Sequence, residues 1–260
     1  MLELIRCLLK TLFMAFVVSF HLLVGGLFGL FIWNSRLRRL FRIQITSLTG
    51  KMALKVMGIK VSWQDRERIP DPPCMLVSNH MSYTDVILLC SVAPSVFITS
   101  KEMGENLFLG TVVRAAGCIF VERRNPLELK GELLYIQNIL QQGFRVVLFA
   151  EATTSDGRQI LPFKRALLQA ACVAGVQVSP VCINYLEVDG SEIQEEHRDA
   201  VCYHGEVGFL EHFFRFAGLK ALKAEVLFLG AIQAGGEIDS RSLTQRLYKQ
   251  IQDKFIPIAP

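Results

Sequence analysis

The chain has 260 residues, 51% of them hydrophobic and 20% charged, which suits one α/β domain with an appendage. Lysine and arginine number 28 against 24 aspartate and glutamate, a net +4 that favours anionic lipid headgroups or phosphorylated substrates and is too small to argue for a nucleic-acid partner. The seven cysteines are irregularly spaced, with no C-x-x-C pair, which argues for a reducing compartment and against a disulfide framework or a metal site.

Residues 11–33 are almost purely apolar, interrupted mainly by Ser19, His21 and glycines. Such a stretch is long enough to cross a bilayer as a helix. It exceeds a signal-peptide core and lacks a convincing small-residue cleavage site, so it is expected to be retained. Arg6 and Lys10 precede it, while Arg36, Arg38, Arg39 and Arg42 follow, which puts the downstream side in the cytoplasm by the positive-inside rule. Basic residues on both flanks, Gly25-Gly26 at the centre and a histidine that is costly in hydrocarbon also allow a kinked helix embedded in one leaflet. Both arrangements stay open. Next, Leu37, Phe41, Ile45, Leu48, Met52 and Val56 recur at helical spacing, with Arg38, Arg39, Arg42 and Lys55 mostly on other faces. This reads as a basic amphipathic helix at the membrane surface or as an ordinary helix covering a domain. Residues 1–60 are therefore expected to form a membrane anchor and residues 61–260 a second, catalytic domain, with the rigid Ile69-Pro70-Asp71-Pro72-Pro73 near the join.

From Cys74 onward, apolar β-rich runs alternate with helical patterns. Strands are expected at 74–78, 95–99, 117–122, 144–149, 178–184, 200–204 and 224–229. Helices are expected at 84–90, 106–115, 127–142, 164–174 and 240–255. The alternation predicts an α/β fold with a mixed, mostly parallel sheet flanked by helices.

Polar clusters recur at the strand ends. Asn79-His80-Met81-Ser82-Tyr83-Thr84-Asp85 follows the first strand, where α/β sheets expose reactive groups. An aspartate five positions after a histidine, in the first helical turn, can reach back and hold the imidazole as a general base for an alcohol. Ser82 and Asp85 alone also read as a helix capping box, an account that leaves His80 unexplained. The strand at 117–122 runs into Arg123 and Arg124, whose planar forks suit phosphate. Glu151 directly follows Val146-Val147-Leu148-Phe149 and needs a partner or a polar cleft. Thr153, Thr154 and Ser155 then offer hydroxyls and N–H groups, as an anion-cradling turn or a plain turn closed by Asp156-Gly157. Val178-Ser179-Pro180 marks a strand near the site.

In order and context these clusters resemble the glycerolipid acyltransferases of the 1-acyl-glycerol-3-phosphate acyltransferase type. The family's N-H-x-S-x-x-D block is matched by Asn79, His80, Ser82 and Asp85. Its second block, glycine–aromatic–arginine, is matched by Gly117, Phe120 and Arg123, with the accompanying lysine–glutamate pair at Lys101-Glu102. The third block, F-P-E-G-T-R-S, is matched at Phe149, Glu151, Thr153 and Ser155, but Ala150, Ala152 and Thr154 replace proline, glycine and arginine. The fourth, an apolar residue and a proline before a strand, fits Val178 and Pro180.

The resemblance implies transfer of a fatty acyl group from acyl-CoA or acyl carrier protein to the hydroxyl of a lysolipid such as 1-acyl-glycerol-3-phosphate at a membrane, in phospholipid biosynthesis, with no metal and no cofactor. His80 and Asp85 would be catalytic, and Asn79, Ser82, Lys101, Arg123, Glu151, Thr153, Thr154 and Ser155 would bind substrate. A bacterial inner membrane, with the catalytic domain facing the cytoplasm, is the implied location. The arginine missing at Thr154 weakens the case for 1-acyl-glycerol-3-phosphate as acceptor, and the run 153–157 is similar to bacterial members that acylate lyso-ornithine lipid or other lysolipids. Glycerol 3-phosphate acylation and a catalytically inactive membrane lipid-binding protein are the alternatives. The absence of a G-x-S-x-G elbow argues against a hydrolase.

Overall fold

The computed structural model describes residues 2–122 and 127–258. Helix α1 (Leu2–His21) starts well before the apolar run and continues into a π-helical turn at Leu22–Phe28. Helix α2 (Ser35–Met57) begins where the Asn34 side chain accepts the Leu37 N–H, and it stops at Gly58, whose φ of 75° gives the left-handed cap that glycine adopts at no steric cost. Then come β1 (Ile59–Gln64), β2 (Cys74–Ser78), α3 (Tyr83–Val92), β3 (Val96–Ser100), α4 (Lys101–Glu105), α5 (Leu107–Ala115), β4 (Ile119–Val121), α6 (Leu129–Gln141) and β5 (Arg145–Phe149). The remainder is α7 (Gln169–Ala174), β6 (Gln177–Val188), β7 (Ser191–Glu192), α8 (Glu195–Val201), α9 (Phe209–Gly218), β8 (Leu222–Phe228), β9 (Ile232–Gln233) and α10 (Ser240–Gln252).

The sheet runs β1-β8-β6-β2-β5-β3-β4. Its neighbours are parallel except at β6–β8, and the short β7 and β9 pair antiparallel with the two ends of β6. This is the mixed, mostly parallel sheet expected. β2 lies between β5 and β6 and is buried at every residue, as a strand covered on both faces must be. Successive residues serve opposite layers. Leu76 joins Val147 and Phe149 against α2, α3 and α9, while Met75 and Val77 join Val146 and Leu148 against α6, α7 and α10. At Gly50 α2 packs tightly on α3, since a Cβ there would come within 2.5 Å of Cys90 Sγ.

Several elements differ from expectation. Residues 200–204 form no strand: α8 ends at Val201, and Tyr203 donates its N–H to the Met81 carbonyl from a loop. Val201 and Cys202 are buried as packing for the upper layer, and the burial that made them resemble a strand is met without sheet pairing. Strands β1, β7 and β9 and helices α4, α8 and α9 were not anticipated, and β1 runs across the boundary placed between residues 60 and 61.

Helix α1 is long and apolar enough, together with the π-helical turn, to cross a membrane. Three of its polar residues, however, are tied to the rest of the protein. Arg6 donates to the Gly218 carbonyl at 3.0 Å, and Lys10 donates to the carbonyls of Met57 at 2.6 Å and Leu219 at 2.7 Å. His21 sits 3.2 Å from both the Thr49 hydroxyl and the Val112 carbonyl. The opposite face exposes Leu8, Leu12, Phe13, Phe16 and Leu23.

Candidate active site

The site forms where β2 and β5, side by side and parallel, deliver their C-terminal ends. Past Ser78 the chain leaves the sheet, and Asn79 fixes the departure. Its amide donates to the Ile183 carbonyl and accepts the Ile183 N–H, both at 2.9 Å, so the side chain is occupied by β6 and is 1% exposed.

His80 and Asp85 meet. His80 Nδ1 lies 2.9 Å from Asp85 Oδ2. The carboxylate only accepts, which places the proton on Nδ1 and leaves the Nε2 lone pair free. The ring stacks on Phe149 with centroids 3.9 Å apart and planes 14° from parallel. The His80 side chain keeps 18% exposure while that of Asp85 has none. Oδ2 of Asp85 also accepts the N–H groups of Met81 at 2.6 Å and Ser82 at 2.8 Å. The capping-box reading is thus correct for the carboxylate, and the same oxygen serves the imidazole. Ser82 Oγ is buried and makes no hydrogen bond.

On the other side, Tyr185 of β6 donates its hydroxyl to Asp85 Oδ1, and the Thr84 hydroxyl contacts the same phenol oxygen. Burial, reinforced by Asp85, holds the Tyr185 hydroxyl well above its ordinary pKa, so it stays a donor. Sequence reasoning missed Tyr185. The available signal was a tyrosine at the end of a buried apolar strand, since a buried phenol needs a partner.

Glu151 is 2% exposed. Oε1 accepts the His80 N–H at 2.7 Å and Oε2 accepts the Leu161 N–H at 2.8 Å. Glu151 therefore clamps the turn after β2 to the segment after β5. Burial pushes its carboxyl up to about 7; the two N–H groups pull the other way and nearby Asp85 adds to the rise. The turn is closed again by Ser155, whose N–H donates to the His80 carbonyl at 2.8 Å. Ala152 adopts φ 62° at the position where the resembled family carries glycine, a left-handed conformation that costs an alanine roughly 1–2 kcal/mol. Ser155 is buried, Thr154 half-buried and Thr153 exposed. Among the described residues, neither threonine hydroxyl is engaged in a hydrogen bond.

The N–H groups of His80, Met81 and Ser82 are all bound to carboxylates. None of the three is left to hold an oxyanion.

Lys101 opens α4 just beyond β3 and pairs with Glu128 and, at 3.5 Å, with Glu132. The Glu128 hydrogen bond, more than any other influence, raises its pKa. Arg123 lies outside the described residues. Glu122, immediately before it, donates its N–H to Glu132 at 3.0 Å. All seven cysteines are free, and among the described residues no cluster of three or more His, Cys, Asp or Glu is placed to hold a metal ion.

The chain is similar to known proteins. A family model described as Acyltransferase matches residues 60–184. The chain is 30% identical over 219 residues to the lyso-ornithine lipid O-acyltransferase of Rhizobium meliloti (strain 1021), covering 79% of this chain and 74% of that protein. It is 33% identical over 187 residues to the lyso-ornithine lipid O-acyltransferase of Brucella abortus (strain 2308), covering 69% and 70%. It is 29% identical over 205 residues to the 1-acyl-sn-glycerol-3-phosphate acyltransferase of Neisseria gonorrhoeae, covering 78% and 76%. The crystal structure of the 1-acyl-sn-glycerophosphate acyltransferase PlsC from Thermotoga maritima shares the fold, with a TM-score of 0.69 over 97% of this chain and 96% of that one at 20% identity. The chain belongs to the acyltransferase family of these lyso-ornithine lipid and 1-acyl-glycerol-3-phosphate enzymes, and it is an acyltransferase of lipid biosynthesis.

Proposed function

We propose that the protein transfers a fatty acyl group from a thioester, acyl-CoA or acyl carrier protein, to the hydroxyl of a lysolipid at the membrane surface. The observation that carries the reading is the His80–Asp85 pair at the end of β2, with Nδ1 held at 2.9 Å and the ring still open to solvent. Nε2 takes the acceptor's hydroxyl proton while its oxygen attacks the thioester carbonyl. Asp85 fixes the tautomer and stabilises the imidazolium. The C–S bond then breaks, and Nε2–H returns the proton to the departing thiolate. Glu151 and Asn79 act by holding the turn that carries His80. Thr153 and Thr154 are the open polar groups beside it and are assigned to the acceptor, with Ser155 supporting their turn. Lys101 and Arg123 are assigned to an anionic group of the substrate.

Lyso-ornithine lipid is favoured over 1-acyl-glycerol-3-phosphate as acceptor. Thr154 offers a hydroxyl and not a guanidinium, and Lys101 already faces two carboxylates. The relatives at 30% and 33% identity named for the ornithine lipid reaction support the same choice. In this reading residues 1–60 dock the enzyme on the inner face of a bacterial inner membrane, and residues 61–260 carry the chemistry. The ties from Arg6, Lys10 and His21 favour a helix lying in one leaflet against the domain over one that leaves it to span.

The test supplies single lysolipids with one thioester donor and follows diacylated product by mass spectrometry. Turnover of lyso-ornithine lipid above 1-acyl-glycerol-3-phosphate is expected. The reverse ranking would return the acceptor to the phosphate monoester. Product from glycerol 3-phosphate as readily as from any lysolipid, or no product at all, would contradict the reading.

A further inference from the structure

A cavity of about 640 Å³ opens between the π-helical turn, the start of α2, α5 and β4, within the usual size of a ligand pocket. Among the described residues, none of the catalytic or substrate-binding residues named above lines it, although Gly117 and Phe120 of the second motif block do. Its walls carry four guanidinium groups, those of Arg38, Arg39 and Arg42 from α2 and Arg114 from α5. Its lip is apolar, with Leu27 and Leu30 exposed at 49% and 62% beside the apolar face of α1.

The four cations lack counter-charge: among the described residues none is ion-paired with a carboxylate. Arg39 donates to the Tyr135 hydroxyl at 3.0 Å, and Arg114 donates to the Gly104 carbonyl and lies 5.5 Å over the Phe120 ring. These partners are neutral. Arg42 Nε is buried without any partner. Burial, with Arg38 and Arg39 close by, holds the Arg42 guanidinium below its ordinary pKa. The first turn of α2 contains no acidic residue, so Arg38 and Arg39 sit near the positive end of a long helix, where cations are unfavourable and anions favoured, with Arg42 a turn further in. Such an arrangement costs free energy unless an anion completes it.

We propose that this cavity binds the phosphodiester headgroup of an anionic membrane phospholipid, clasped by Arg38, Arg39, Arg42 and Arg114, with its acyl chains running along Leu27 and Leu30. Planar guanidinium forks match phosphate oxygens, and basic pockets between membrane-facing helices hold lipid headgroups in this way. The proposal rests on the reading that α1 docks on the bilayer.

The experiment is flotation of the full chain with vesicles of phosphatidylcholine, alone or mixed with phosphatidylglycerol. The wild type is expected to bind both, favouring the anionic vesicles by about tenfold or more. Two variants keep the total charge. Arg38→Lys with Arg42→Lys removes two of the four forks, and Thr111→Trp narrows the mouth with every arginine in place. Each should lose most of the anionic preference while still binding neutral vesicles. An unchanged preference in both variants overturns the site and leaves only diffuse surface charge. Binding to neutral vesicles with no anionic preference in the wild type also overturns it, whereas failure to bind neutral vesicles contradicts the docking of α1. Loss of the preference in millimolar inorganic phosphate, with ionic strength matched by chloride, overturns the lipid assignment in favour of a free-anion site.

Discussion

Asp85 is where residues distant in sequence converge on one function. It takes donors from His80, Met81, Ser82 and Tyr185. The first three are within five positions; the His80 contact and the Ser82 capping box were read from the sequence, whereas the Met81 N–H was not. Tyr185 is separated from Asp85 by 100 positions, so sequence spacing carries no trace of it. Tyr185→Phe removes one donor from a buried carboxylate, and a bond of this kind contributes about 1.5–3 kcal/mol. Acyl transfer should fall by about 10- to 100-fold. The carboxylate, less satisfied, should hold the imidazolium more tightly, so the acid limb of the rate profile should move to higher pH. An unchanged profile would make Tyr185 merely structural. Glu151 gives a second residue-scale expectation. Its carboxyl rises from 4.5 in a free chain to about 7 when folded, so between these values the folded state binds more protons than the unfolded one. Stability contributed there must fall as pH rises through that window. Glu151→Gln should flatten this slope of the melting temperature against pH, at the cost of turning an amide donor toward the His80 or Leu161 N–H. A slope unchanged in the variant would count against Glu151 as its source.

Among elements, those with strong patterns were legible. β2 and β5 are short unbroken apolar runs bounded by polar residues, and both lie where expected because they are buried on two faces. Residues 200–204 show the limit of that signal: Val201 and Cys202 are just as buried, but the preceding Glu195–Asp199 stretch is helical, with Arg198 ion-paired to Glu195 at 3.3 Å. Burial alone does not distinguish a strand from the end of a helix. β1 and α9 were missed because their partners, β8 and α1, come from far along the chain. The α2–α3 contact supplies the test at this scale. Gly→Ala inside a helix ordinarily gains about 1 kcal/mol. At Gly50 the new methyl would meet Cys90 Sγ at 2.5 Å, and overpacking of that kind costs about 1–3 kcal/mol. Gly50→Ala should therefore destabilise the protein in urea unfolding, and adding Cys90→Ala should recover part of the loss. A Gly50→Ala protein more stable than wild type would show that the helices separate freely there.

At the scale of the whole molecule, the N-terminal helix reads differently in sequence and in structure. In sequence, Arg6 and Lys10 read as the basic flank before an apolar segment and His21 as a liability within it, and spanning and one-leaflet arrangements both stayed open. In the fold they are the attachment points that bind α1 to α2, α5 and α9, leaving an apolar face outward. Only the third dimension shows which side of a helix its polar residues face. The account as a whole depends on Nε2 of His80 acting as the base. The direct measurement is thioester consumption by wild type and His80→Ala at equal membrane binding, with a saturating lysolipid acceptor. The account predicts a loss of at least about 10³-fold in the variant, the scale on which a general base contributes. Equal rates would show that the proton leaves by another route.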